Sequence, residues 1–229
     1  MINSISSKYS KEYRLNRRLP AEYLVRMIKG EYPKLNLKNW YSSNDKVLDA
    51  ACGDGRHSTF LADQGFNVYG YEIDKNIVSL TKSYTNNYPK IKEILIGDNK
   101  NIPFKSNFFN GIISWNHIYY LKEKDDFPIH IKEISRVAIN KAWIIFSIPM
   151  SSCFIYKNSK SIQKGVVEIK EDYFGMRDGS LMQIFESKTE IQKYLSIYFE
   201  DIIIGTQKDD CFGLNYHWFL IACRNKSQN

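Results

Sequence analysis

The chain of 229 residues is long enough to bury the core of one α/β domain, and its 43% hydrophobic and 14% aromatic content fits a folded protein rather than a disordered one. No apolar run approaches the roughly 18 residues that cross a bilayer, and Met1 to Ser10 lack the hydrophobic stretch of a signal peptide, so the expectation is a cytoplasmic protein without a membrane span. The net charge of +7 favours an anionic partner, but the lysines are spread along a Lys-, Ile- and Asn-rich chain without the dense basic stripe of a nucleic-acid binder. Cys52, Cys153, Cys211 and Cys223 are scattered, with no Cys-x-x-Cys pair, which predicts neither zinc nor structural disulfides.

In chain order, Pro20 to Gly30 reads as one short helix, with Pro near its first turn, Gly past its end, and Leu24 and Ile28 on its buried face. A strand follows at Lys46 to Ala50, then a Gly-containing turn and a helix ended by Gly65. Next come a strand at Asn67 to Glu72, a helix at Lys75 to Thr85, strands at Ile94 to Ile96 and Gly111 to Trp115, a helix at Pro128 to Ile139, and a strand at Ala142 to Ile148. Strands alternating with helices imply right-handed crossovers and a mainly parallel sheet covered on both faces. Residues 151–187 show no clear periodicity and read as an acceptor-facing insertion or lid within a single domain of residues 1–229. A helix at Lys188 to Tyr198 precedes two apolar runs, Ile202 to Gly205 and Trp218 to Cys223, separated by a polar loop from Lys208 to Asn215; such a pair suits an antiparallel hairpin.

The chemistry concentrates in Val47-Leu48-Asp49-Ala50-Ala51-Cys52-Gly53-Asp54-Gly55-Arg56, where a strand ends and small residues let the backbone turn close to a ligand before a helix begins. Gly53-Asp54-Gly55-Arg56-His57-Ser58 is an imperfect relative of the Gly-x-Gly-x-x-Gly dinucleotide fingerprint, with Ser58 in place of the third Gly. The next strand ends in Glu72, a carboxylate able to accept from a ribose diol, a feature shared with NAD enzymes. Asp98, after Ile96-Gly97, provides an acid at the end of the third strand, able to accept from an adenine amino group. Ser114-Trp115-Asn116-His117 then runs a buried strand into an aromatic and polar cluster at the sheet's carboxyl edge. Each acid alone could be an ordinary surface carboxylate; their recurrence at consecutive strand ends argues for a ligand.

On these four motifs, in order between Val47 and Pro149, the chain resembles class I, Rossmann-like S-adenosylmethionine-dependent methyltransferases, particularly those acting on small molecules. The resemblance covers under half the chain. It implies an α/β three-layer sandwich with a mostly parallel seven-stranded sheet whose last strand is antiparallel, and S-adenosyl-L-methionine as cofactor. It also implies that Asp49, Ala51, Cys52, Gly53 and Gly55 hold the methionine part, Glu72 the ribose hydroxyls, Ile73 one adenine face, and Asp98 with Asn99 the adenine edge, with Trp115 and Asn116 beside the sulfonium and acceptor. Ala51 replaces the usual first Gly of the loop, a change expected to be tolerated if φ there is negative. Asn110 stands for a common Asp, and Asn140-Lys141 for a Pro-Gly-Gly turn.

His117 is a candidate general base, with a satisfied structural histidine as the alternative. Tyr119, Tyr120 and His217 read as packing, Trp115 as partly core, and His57 as the opening of a helix. Arg17 to Arg26 resembles the lead-in of bacterial methyltransferases linked to surface-sugar modification, in which N-terminal helices close over the cofactor; Arg18 or Arg26 would then meet its carboxylate, unless they only line a solvated helix face.

Ser114-Trp115-Asn116-His117 lacks the Asn/Asp-Pro-Pro-aromatic run of enzymes acting on exocyclic amino groups of DNA bases, and Pro149 is followed by Met150 rather than the Cys of pyrimidine C5 enzymes. O- or N-methylation of a small-molecule acceptor, a sugar or other polar metabolite, remains. The competing readings are an RNA or protein methyltransferase, which a basic groove joining Lys157 to Lys170 with the N-terminal arginines would favour, and a non-methylating nucleotide binder such as an NAD-dependent oxidoreductase.

Overall fold

A computed structural model describes residues 8–9, 11–13, 19–124 and 126–226. Its main sheet is built from β1 (Lys46–Ala50), β2 (Asn67–Glu72), β3 (Ile91–Ile96), β4 (Phe109–Ser114), β6 (Ala138–Pro149), β10 (Phe199–Cys211) and β11 (Leu214–Asn225). These seven strands lie in the order β10-β11-β6-β4-β1-β2-β3. β11 runs antiparallel to both of its neighbours, and the pairings from β6 to β3 are parallel. This is the α/β architecture the sequence implies.

Alternating residues of the central strands explain the three layers, because successive side chains point to opposite faces. Leu48, Ile112, Ile144 and Phe146 pack on one face with Phe127, Ile131 and Ile134 of α4 (Asp126–Val137) and with Ile191 and Leu195 of α5 (Lys188–Leu195). Val47, Ile113 and Ile145 pack on the other with Leu24 and Ile28 of α1 (Glu22–Lys29) and Leu61 of α2 (Arg56–Asp63). Two helix starts are capped as their sequences require: Asp74 accepts from Asn76 N and Ile77 N ahead of α3 (Lys75–Thr85), and Ser187 accepts from Glu190 N ahead of α5.

Residues after Pro149 depart most from expectation. The stretch read as a polar loop, Lys208 to Asn215, is mostly strand: β10 and β11 pair from Phe199↔Asn225 to Cys211↔Leu214 and turn through Phe212 and Gly213 alone. Both turn residues have positive φ, 52° and 91°, the signature of a tight hairpin whose twist matches its strands. The polar residues reflect a ribbon extending into solvent rather than a loop. Within residues 151–187 lie β7 (Lys160–Gln163), β8 (Val166–Glu168) and β9 (Leu181–Gln183); with β5 (Tyr120–Leu121) they form a second, antiparallel sheet in the order β5-β9-β8-β7. Helix α4 ends at Val137, two residues short of its expected end, because the chain enters β6 directly at Ala138.

The loop after β1 winds tightly, with positive φ at Ala51 (49°), Gly53 (55°) and Gly55 (76°). The condition under which Ala51 would be tolerated without strain, a negative φ, is not met: the position that usually carries Gly adopts the left-handed conformation with a Cβ attached. Behind the loop, Ser58 Oγ of α2 donates to Asp49 Oδ2 at 2.6 Å, fastening the helix to the end of β1, and both residues are buried.

Two outcomes follow for stability. Left-handed backbone costs an L-residue about 1–2 kcal/mol, while Gly in place of Ala costs roughly 0.5–1 kcal/mol of chain entropy. Ala51→Gly is therefore expected to stabilise by about 0.5–1 kcal/mol, read as a rise of about 1–4 °C in Tm; an unchanged or lower Tm would contradict the strain. Burial raises the Asp49 carboxyl to about 7, overcoming the hydrogen bond from Ser58 and the charge of Arg56, which lower it. Between about pH 4 and that value the folded chain keeps a proton that the unfolded chain has released, so stability falls as pH rises, by at most about 1.4 kcal/mol per pH unit. Asp49→Asn, uncharged and still able to accept from Ser58, should flatten this slope in urea unfolding across that window, and parallel slopes for the two proteins would refute it.

Candidate functional site

The parallel registers set the carboxyl ends of the central strands side by side: Ala50 lies opposite Tyr71, and Glu72 opposite Ile96. A cavity of about 760 Å³ opens above this edge. Of the residues assigned from the sequence, Ala51, Cys52, Gly53, Glu72, Ile73, Asp98, Asn99, Trp115, Asn116 and His117 line it. Asp49 and Gly55 do not. Asp49 accepts from Ser58, and Gly55 is the left-handed N-cap of α2, so both shape the loop that lines the cavity.

Glu72 is the organising side chain. It is only 8% exposed, and its two oxygens accept from Gly53 N at 3.2 Å and Ile73 N at 2.8 Å. Burial raises its pKa and these backbone donors partly offset the rise. Each oxygen retains lone-pair capacity toward the cavity. Beside it Ile73, 38% exposed, presents an apolar surface. Gly53 is further fixed by Thr81 Oγ1, which donates to its carbonyl. A Cβ at Gly53 would stand 2.9 Å from Tyr13 Oη in the cavity, so the glycine keeps this wall open.

At the next strand end, Asp98 Oδ1 accepts from Lys100 N and Asn101 N at 2.9 and 3.0 Å, and Oδ2 from Lys122 Nζ at 2.7 Å. Partial burial alone would raise its pKa; the Lys122 and backbone hydrogen bonds outweigh that and hold it low. Asp98 is thus ionised and already engaged. Asn99 Oδ1 accepts from Tyr71 OH at 2.9 Å. Asn116 has a left-handed φ of 57° and is pinned by Ser147, whose Oγ accepts from Asn116 N at 2.7 Å and donates to Asn116 Oδ1 at 2.9 Å.

Burial drives His117 down to about 3, helped by His130. Ser114 Oγ lies 3.4 Å from its Nδ1, and its ring meets Tyr71 edge-on. Burial thus disfavours a second proton on His117, while the ring lines the cavity, so both the general base and the structural histidine remain open at this position. His57 and His130 are also lowered, chiefly by burial. His57 does more than open a helix: its Nε2 accepts from Ala21 N at 3.3 Å, and its ring lies 6.3 Å from Trp115 on the cavity wall. Trp115 itself both lines the cavity and joins the core, as expected.

Sequence reasoning missed the residues that reach the cavity from far along the chain. Tyr9 and Tyr13 line it, with Tyr9 OH 3.2 Å from Tyr120 OH and Lys8 Nζ donating to Gly175 O at 2.8 Å. Tyr119 and Tyr120, read as packing, also line the wall, as do Lys122, Arg177, Ser180 and Trp218. No local motif marks them. Arg26 pairs with Glu22 at 2.7 Å on an exposed helix face and does not reach the cavity, so the solvated-face alternative holds for it; Arg17 and Arg18 lie outside the described residues.

Comparison with known proteins agrees with this geometry. Residues 48–146 match the family described as methyltransferase domain. YqeM of Bacillus subtilis (strain 168), assigned as a methyltransferase, is 26% identical over 106 residues, a match covering 46% of this chain and 43% of that relative, so the chain aligns with under half the length of that protein. Among solved structures, an S-adenosylmethionine-dependent methyltransferase of Methanosarcina mazei superposes with a TM-score of 0.69 at 17% identity, covering 86% of this chain and 99% of the other. The 1,6-didemethyltoxoflavin-N1-methyltransferase of Burkholderia thailandensis, solved with 1,6-didemethyltoxoflavin and S-adenosylhomocysteine, superposes with a TM-score of 0.65 at 12% identity, covering 99% and 89%. No helix among the described residues is long and apolar enough to cross a membrane. Residues 48–146 thus match a methyltransferase-domain family, and the chain shares its fold with solved S-adenosylmethionine-dependent methyltransferases.

Proposed function

We propose that the chain transfers a methyl group from S-adenosyl-L-methionine to an oxygen or nitrogen of a small-molecule acceptor. The observation that carries this reading is the convergence of Glu72, Asp98 and the tight Ala51 to Gly55 loop on one cavity at the carboxyl edge of three adjacent strands. When bound, the cofactor supplies an electrophilic methyl group on a sulfonium, so no metal or redox group is required by the chemistry.

The chain's own residues bind and align. Glu72 accepts from the two ribose hydroxyls, and Ile73 covers an adenine face. Asp98 and Asn99 border the adenine edge, with Asp98 acting through whatever acceptor capacity its three present donors leave. The backbone of Ala51, Cys52 and Gly53 follows the amino-acid tail, and Trp115 and Asn116 flank the reacting centre. The histidines on the wall are held neutral and weakly basic, and the Tyr9 and Tyr119 hydroxyls are raised by burial. The acceptor therefore attacks as an anionic oxygen or an unprotonated nitrogen, and catalysis comes from alignment and exclusion of water. The size of the cavity leaves room for a modest acceptor beside the cofactor, and the Burkholderia neighbour carries a small heterocycle together with S-adenosylhomocysteine.

Thermal unfolding with S-adenosylhomocysteine and with NAD tests the reading. At a concentration 100-fold above its dissociation constant, S-adenosylhomocysteine should stabilise by about 2.7 kcal/mol, a rise of about 5–10 °C, while NAD leaves Tm unchanged. Glu72→Ala should remove most of that rise. A shift with NAD alone would assign the cavity to a dinucleotide instead.

A further inference from the structure

The cofactor reading leaves one end of the cavity without an occupant, and that end is walled by aromatic rings from three separate parts of the chain. The Tyr13 and Tyr9 ring centroids lie 5.9 Å apart, and Tyr9 OH is 3.2 Å from Tyr120 OH. Tyr120 stacks on Tyr119 with centroids 5.0 Å apart and planes 27° from parallel, and Trp218 lies 6.2 Å from Tyr119. All five residues line the cavity, and Tyr9, Tyr13 and Tyr120 are half-buried. Such walls take up flat rings through offset stacking and edge contacts.

Among the described residues, the same end has no charge to spend on an ion. Arg177 Nη1 donates to both carboxylate oxygens of Asp172, at 2.9 and 3.2 Å, so the guanidinium is compensated within the wall. Of the other charged residues that line the cavity, Lys100 and Lys122 are paired with Asp126 and Asp98. Asp54, Arg56 and Glu72 belong to the loop after β1, the start of α2 and the end of β2, the region assigned to the cofactor. An acid would therefore leave water with no free cation to meet it. A protonated amine would find no free carboxylate here, and it has no lone pair with which to attack a methyl group.

The pair of Tyr9 and Tyr120 supplies a polar handle. In a hydroxyl pair one O–H is spent on the partner oxygen and the other keeps its proton, and neither residue has a further hydrogen-bond partner among the described residues. Burial holds the Tyr9 hydroxyl well above its ordinary value, so it stays protonated. One donor in an aromatic wall suits an uncharged oxygen or nitrogen on a flat ring, whereas a sugar brings several hydroxyls that such a wall leaves without partners.

We propose that the acceptor is an uncharged, flat heteroaromatic molecule, whose ring packs on Tyr9 and Tyr120 while a ring heteroatom or carbonyl accepts from their hydroxyl pair. The proposal rests on the methyltransferase reading, which assigns the rest of the cavity to the cofactor.

Ligand-observed NMR on the full chain saturated with S-adenosylhomocysteine tests it. The probes are quinazoline, 1,8-naphthyridine and benzimidazole, with benzimidazole-5-carboxylate as an anion, naphthalene as a ring system without heteroatoms, and methyl glucoside as a sugar. At least one heterocycle should bind about tenfold more tightly than the sugar and the carboxylate. Tyr120→Phe, which keeps the ring and removes the hydroxyl, should weaken that heterocycle about threefold or more and leave naphthalene unchanged. Tyr120→Leu should weaken both. Calorimetry on the same proteins should find S-adenosylhomocysteine binding retained. No heterocycle preferred over the sugar and the carboxylate, or a Tyr120→Phe protein that binds the heterocycle undiminished or loses naphthalene equally, overturns the heteroaromatic acceptor while leaving the cofactor reading in place. Failure of the unsubstituted chain to bind S-adenosylhomocysteine overturns both.

Discussion

The hydrogen bonds that Glu72 accepts from Gly53 N and Ile73 N join three parts of the site that the chain makes separately. They hold the loop after β1 against the end of β2, keep the carboxylate at the cavity floor, and set Ile73 beside it. Removing the carboxylate would leave the buried Gly53 N–H without this partner, so the residue that lines the cavity also shapes the loop. The arrangement depends in turn on parallel pairing of β1 between β2 and β4, which brings the strand ends to a common edge.

Electrostatics divide the labour around that edge. Burial lifts Asp49 and Glu72 toward their neutral forms, whereas Asp98 stays charged through Lys122 and two backbone donors. Burial shifts the wall histidines the opposite way, toward neutral rings that shape the wall and hydrogen-bond without taking up a second proton. A cationic donor needs no proton delivered to it, and such a site suits an acceptor that brings its own lone pair. Local strain accompanies this arrangement: Ala51 and Asn116, both lining the cavity, sit at positive φ.

Much of the central sheet was legible because its signals are local. β1, β2 and α3 begin and end where apolar alternation, glycine and the Asp74 cap say they should. The carboxylates at strand ends were legible for the same reason, each following its strand directly. The second sheet was not, since strands of two to four residues are too short to establish a period. The hairpin of β10 and β11 was misread in part because Lys208, Asp209 and Asp210 are polar for solvent exposure, not for looping. Arg177, Ser180 and Tyr9 reach the cavity only through tertiary folding, and the pairing of Lys122 with Asp98 across 24 residues settles how free that acid is. The sign of φ at Ala51 likewise depends on the fold and not on the residue type.

The central claim is that Glu72 receives the ribose of an adenosyl cofactor at the end of β2. A crystal structure of the chain with S-adenosylhomocysteine tests it directly. The account predicts both ribose hydroxyls within about 3.2 Å of the Glu72 carboxylate, and the adenine against Ile73. A ligand seated elsewhere, or one whose ribose faces away from Glu72, would contradict it.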